Sequence, residues 1–204
     1  MHYAAKDYSH LIGMEGFSEN LLRNHFTLYQ GYVNNTNRLM ETLSKMLDEE
    51  KTGTPEYAEI KRRFGWEFDG MRLHEFYFEN LGGRGGDVPS SIASRFSADF
   101  GSAERWLTDI KATAAMRGIG WAVLYYDPIG KHYHNSWINE HDVGHTPGCV
   151  PILVLDVFEH AYMLDYGLKR PDYVATLFKN VNWDLVGRRI NMAEELAQQL
   201  ERAA

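Results

Sequence analysis

The chain has a single cysteine, Cys149. One thiol excludes an internal disulfide framework, so a reducing, cytoplasmic setting is the expectation. Cys149 itself reads as a small buried residue. No apolar run reaches membrane-spanning length, and no basic stretch leads into an apolar one near the N-terminus, so no membrane partner is expected. Excess positive charge is also missing. Lys and Arg total 21 against 28 Asp and Glu, a net charge of −7, which argues against nucleic acid as a partner. Repeats and low-complexity tracts are absent. What is present is a core-forming composition, 44% hydrophobic and 13% aromatic over 204 residues, suited to one compact unit or two small subdomains.

Residues 1–17 are polar and glycine-containing and read as an extended arm. Ser18 opens a helix on which Leu21, Leu22, His25, Leu28, Tyr29 and Tyr32 recur at three- and four-residue intervals, and the pattern reaches about Glu50. Lys51-Thr-Gly-Thr-Pro55 breaks it, and a second helix runs from about Glu56 to Leu81. Gly82-Gly-Arg-Gly-Gly86 reads as a flexible connector between two parts, 1–86 and 87–204. Beyond it, helices are expected over Pro89–Phe100 and Ser102–Met116, and strands over Trp121–Tyr126, Lys131–Trp137 and Pro151–Leu155. Asp127-Pro-Ile-Gly130 is a hairpin turn, and Asp184–Ala203 an amphipathic closing helix. The expected class is α+β: a long N-terminal helical hairpin, then a mixed half with a small three-stranded antiparallel sheet flanked by helices.

Chemistry concentrates at Asp156-Val-Phe-Glu-His160, which follows the apolar strand Pro151–Leu155. Asp and His at i and i+4 converge if a helical turn begins there. Carboxylate and imidazole together favour iron, zinc or manganese, but two residues do not close a site. The competing reading is a helix N-cap aspartate followed by an ordinary histidine.

The longer run Asp156-Val-Phe-Glu-His-Ala-Tyr162 resembles the Asp-x-Trp-Glu-His-Ala-Tyr signature of the iron/manganese superoxide dismutase family. Lys169-Arg-Pro-Asp-Tyr173 and Asn180-Val-Asn-Trp183 resemble its Arg-Pro-x-Tyr and Val-Asn-Trp segments. Upstream, Gly118-Ile-Gly-Trp-Ala122 resembles its Gly-Ser-Gly-Trp strand start and adds Trp121 to the site residues. His74–Leu81 and Asn24–Val33 resemble the helices carrying its other two ligands. The matches run in the family's order from about Leu21 to Val186.

The resemblance implies one iron or manganese ion per subunit, held by His25, His74, Asp156 and His160. It implies that superoxide is converted to dioxygen and hydrogen peroxide. An acidic chain would repel an anionic substrate, so local positive charge must steer it, with Lys169, Arg170 and Lys179 as candidates. Tyr32 takes the gateway role, yet it stands seven residues after His25 where the family has eight. In a regular α-helix i and i+7 face nearly the same way, so no bulge is needed here. The family's gateway histidine is replaced by Tyr29 or its neighbour, and its partner tyrosine by Met163.

In the family a glutamine holds the metal-bound solvent. One of its two usual positions is Gly70 here; the other falls in Ile138-Asn-Glu-His141. His141 is therefore expected to take the glutamine's role, with a surface loop histidine, like His145, as the alternative. Phe158 replaces the family's tryptophan. Glu159 would reach across a two-fold interface to the partner's ligand histidine and fix its tautomer, giving a homodimer or a tetramer. Val154, two before Asp156, tilts the metal toward iron. Two other readings remain. One is a non-heme iron oxygenase using His74, His160 and Asp156; the other is a catalytically weak metal-binding relative.

Overall fold

A computed structural model describes residues 2–203. Two long helices form the N-terminal hairpin, α1 (Glu19–Asp48) and α2 (Pro55–Glu79). The Ser18 side chain accepts the Leu21 N–H at the start of α1, and Thr54 accepts the Tyr57 N–H at the start of α2. Each cap satisfies a backbone donor that the first turn leaves free. Pro55 sits at the first position of α2, where its missing N–H costs nothing. The arm ahead of α1 is not wholly extended. It makes a short 3₁₀ turn at Ser9–Leu11, and Tyr8, Leu11 and Phe17 are buried in the core.

Helices α3 (Ser90–Phe100) and α4 (Ala103–Ala114) precede strands β1 (Gly120–Asp127), β2 (His132–Asn139) and β3 (Val150–Asp156). The sheet order is β2-β1-β3 and both pairings are antiparallel. The central strand β1 is buried along almost its whole length. Each fully buried large side chain there contributes roughly 1.5–3 kcal/mol. Register places Trp121 opposite Ile138 on one side and opposite Asp156 on the other. After β3 come a 3₁₀ turn (Glu159–Ala161), α5 (Met163–Tyr166), α6 (Arg170–Phe178) and α7 (Trp183–Ala203).

The glycine-rich stretch is anchored rather than loose. Gly83 N–H donates to the Asn180 carbonyl at 3.1 Å and Gly85 N–H to that of Val181 at 3.2 Å. At Gly83 a Cβ would lie 2.3 Å from the Val181 carbonyl oxygen, so the backbones approach only because side chains are absent. One hydrophobic cluster includes residues from the arm, the hairpin, the sheet and α7.

Candidate metal centre

His25 on α1, His74 on α2, Asp156 at the end of β3 and His160 in the following 3₁₀ turn converge. One donor atom from each lies within 4.8 Å of all the others. The centre of the set is Asp156 Oδ2. It lies 3.1 Å from His25 Nε2, 3.1 Å from His160 Nε2 and 3.6 Å from His74 Nε2. His25, His74 and Asp156 are buried, and His160 is partly exposed.

The Asp156–His160 approach is not an α-helical i, i+4 pair. Asp156 is still in the strand, and its Oδ1 accepts the Phe158 N–H at 2.9 Å. That side-chain turn reverses the chain, and the 3₁₀ turn carries His160 back to the carboxylate. The Asp156 carbonyl accepts the Tyr173 hydroxyl at 2.8 Å, and the Tyr77 hydroxyl lies 3.0 Å from that of Tyr173. Tyr173 sits in the Lys-Arg-Pro-Asp-Tyr segment, so its presence was legible although its role was not.

The donors suit a first-row transition metal. His74 Nδ1–H donates to the Gly70 carbonyl at 2.5 Å, leaving the lone pair on Nε2, and that buried nitrogen has no hydrogen-bond partner. An unpartnered buried nitrogen is costly unless something binds it. Burial pushes the His25 and His74 imidazoles below the usual histidine range. Burial alone would raise the Asp156 carboxyl, but the His160 and His25 rings hold it well below the carboxylate range. Neutral His25 and His74 beside an ionised carboxylate are protonation states that ligate.

A second layer adjoins this set. His141 is fully buried. Trp121 Nε1–H donates to His141 Nδ1 at 3.1 Å, so the proton of the neutral ring is on Nε2, which lies 2.8 Å from the Tyr32 hydroxyl. Burial lowers His141 to about 4. Tyr32 stacks on the His74 ring at 5.2 Å between centroids. Helix α1 is unbroken between His25 and Tyr32, as their spacing required. Phe158 stacks against both His141 and His160, at 4.7 and 5.1 Å. Tyr29 lies away from this layer, with its hydroxyl donating to Glu75 and accepting the Lys6 N–H.

Three features escaped the sequence. Gly70 makes room for Tyr32: a Cβ there would come within 2.7 Å of the ring. Trp66 packs 4.6 Å from the His141 ring and donates from Nε1 to Glu140 at 3.0 Å. Its place two turns ahead of His74 on α2 was the available signal. His145, read as a surface residue, is hydrogen-bonded on both ring nitrogens. Cys149 is only half-buried. Of the proposed steering cations, Arg170 is committed to holding the Met116 and Gly118 carbonyls and the Tyr162 hydroxyl. Glu159 and Met163 are exposed and outside the cluster.

Residues 89–189 match the iron/manganese superoxide dismutases, C-terminal domain. A superoxide dismutase [Mn] 2 of Haloferax volcanii is 39% identical over 173 residues, covering 84% of this chain and 85% of the relative. A superoxide dismutase [Fe] of Aquifex pyrophilus is 34% identical over 203 residues, covering 96% and 94%. One from Saccharolobus solfataricus, also [Fe], is 36% identical over 167 residues, 79% of each chain. The motif order, the converging three-histidine, one-aspartate cluster and these likenesses over about four fifths or more of the chain agree, and the chain belongs to the iron/manganese superoxide dismutase family, an enzyme family converting superoxide to dioxygen and hydrogen peroxide.

Proposed function

We propose that His25, His74, Asp156 and His160 hold one metal ion, and that Tyr32, His141 and Trp121 form the proton-handling layer beside it. The observation that carries this reading is the unpartnered Nε2 of His74 within 3.6 Å of the carboxylate that His25 and His160 also approach. An iron or manganese ion bound there would supply one-electron redox chemistry, accepting an electron from one superoxide and returning it to another. The chain's own residues handle the protons. His141 Nε2–H donates to Tyr32, which leaves the phenolic proton free to be donated into the site. Burial raises the Tyr32 phenol above its ordinary range, so it stays protonated at neutral pH.

The metal is proposed to be iron, on the branched Val154, although the relatives carry both names. Self-association as a homodimer or tetramer is proposed through the face carrying Glu159. Its support is the exposed apolar surface of Met163, Leu164 and Leu168 beside it. A cytoplasmic location is proposed from the lone cysteine. The described residues include no helix long and apolar enough to cross a membrane. The division into 1–86 and 87–204 is kept as a proposal, supported by two ligands arising from each part. The oxygenase reading is disfavoured by a third imidazole, His25, where an open position would be needed.

The test is metal content and superoxide decay for the protein reconstituted separately with iron and with manganese, beside His74→Ala. The reading expects the iron form to be the faster and His74→Ala to lose metal and activity together. A His74→Ala protein with full metal occupancy would refute the ligand set. A fully metallated wild type without turnover would leave a metal-binding relative.

A further inference from the structure

The segment that carries His141 is irregular and strained. It follows β2 directly, its only ladder pairing is an isolated bridge between Asn139 and Val143, and Glu140 has φ of 52°. A non-glycine residue in that left-handed region is strained and persists only when its surroundings fix it. Yet His141 must be fixed closely, because its ring sits between Trp121 and Tyr32.

Strand β1 supplies two aromatic donors on one face, Trp121 and Tyr125. Trp121 Nε1–H meets Nδ1 of His141 at 3.1 Å. Tyr125 Oη lies 2.8 Å from Nδ1 of His145. His145 Nε2 lies in turn 2.8 Å from the His141 carbonyl oxygen. A carbonyl only accepts, so Nε2 of His145 carries a proton, and in the neutral ring Nδ1 accepts from Tyr125. Asp69 Oδ2 stands 3.7 Å from His145 Nε2, on the helix that carries His74. Side chain and main chain of His141 are thus held from the same strand, one directly and one through His145.

We propose that His145, oriented by Tyr125, is a positioning residue for the superoxide reaction: it clamps the His141 main chain so that the His141 ring reaches Tyr32. This rests on the role given to His141 above. The partners of His145 are Tyr125, the His141 carbonyl and Asp69, none of them a proposed ligand, so its loss should leave the metal bound. Partners hydrogen-bonded directly to a ligand are worth about 10–100-fold, and His145 acts one contact further out, so the loss expected is at the lower end of that range.

The experiment compares His145→Ala, His145→Gln, Tyr125→Phe and His141→Ala in the reconstituted enzyme. Metal content, kcat and KM separately, and the electron paramagnetic resonance spectrum are measured. His145→Ala is expected to keep its metal, lose about ten-fold in kcat with KM little changed, and shift the spectrum as Tyr32 and His141 drift apart. His145→Gln should recover most of kcat, since its amide can donate to the same carbonyl. Tyr125→Phe removes one hydrogen bond from a packed site and should lower kcat in the same direction; it decides the matter should His145→Ala not fold. Wild-type kcat and spectrum in Tyr125→Phe and His145→Ala, with His141→Ala impaired, overturn the clamp alone. Wild-type behaviour in His141→Ala overturns the reading beneath it. A His145→Gln variant as impaired as His145→Ala also overturns the clamp, because mere filling of space would then explain the loss.

Discussion

The Tyr32 hydroxyl lies 2.8 Å from Nε2 of His141, although 109 residues separate them in the chain. The contact joins the middle of α1 to the loop after β2. Trp121 donates to the other His141 nitrogen, so the ring proton points at Tyr32, the arrangement on which the proposed proton layer rests.

Replacing His141 therefore tests that proton layer. His141→Ala is expected to retain its metal and lose turnover by about 10–100-fold, with a shifted reduction potential. His141→Gln restores a donor and an acceptor and should retain more activity. Paired metal analysis and superoxide decay rates are the measurement. Wild-type rates in both variants would place the proton layer elsewhere.

Gly70→Ala should displace Tyr32. The added Cβ would lie 2.7 and 2.8 Å from two ring carbons, so the ring must shift or α2 must move. Overpacking of this kind costs about 1–3 kcal/mol. Thermal unfolding should register that loss, and turnover should fall with the metal retained. Unchanged stability and rate would mean that the ring moves freely.

Acid should destabilise the protein over a defined window. The folded-state pKa of His141 is about 4, below that of a free histidine, because burial disfavours its charge. The unfolded chain binds the proton first, so the contribution to stability is full above about pH 6.5 and is lost as pH falls toward 4. His25 and His74 are shifted in the same direction. The Asp156 carboxyl, also lowered, adds a loss at still lower pH. Melting temperatures should fall between pH 6.5 and 4, less steeply in His141→Gln. Equal slopes in both proteins would contradict a neutral buried His141.

Association through Glu159 is open to direct test. Its side chain is exposed and meets no hydrogen-bond partner within the described residues, while Met163, Leu164 and Leu168 expose 42%, 57% and 91% of their surface close by in sequence. Glu159→Ala should weaken association and perturb the metal. A wild-type protein sedimenting as a monomer at micromolar concentration is the outcome that excludes the interface.

Much of this molecule was legible in the order of its residues. The three- and four-residue spacing around His25, the helix opening at Ser18, the break at Lys51–Pro55 and the Asp-Pro-Ile-Gly turn are local signals, and they correspond to α1, α2 and the β1–β2 hairpin. The spacing of His25 and Tyr32 put both on one face without a bulge, because helical geometry fixes that relation over seven residues. The four candidate ligands came from the family resemblance; local sequence by itself kept only Asp156 and His160 together, at a strand end and the short turn that follows it.

Other relations depended on the packed chain. No local pattern says that Gly70 vacates space for a ring on another helix, or that His145 reaches the carbonyl of His141 while Tyr125 holds it from β1. Arg170 looked like a free charge and is a brace for two carbonyls. The glycine-rich stretch looked flexible and is pinned against residues 179–182. Sequence periodicity reports which face a residue takes on its own element. Which atom of a distant element meets it is settled only when elements pack, because close packing and the need to pair every buried polar group act on the whole fold at once.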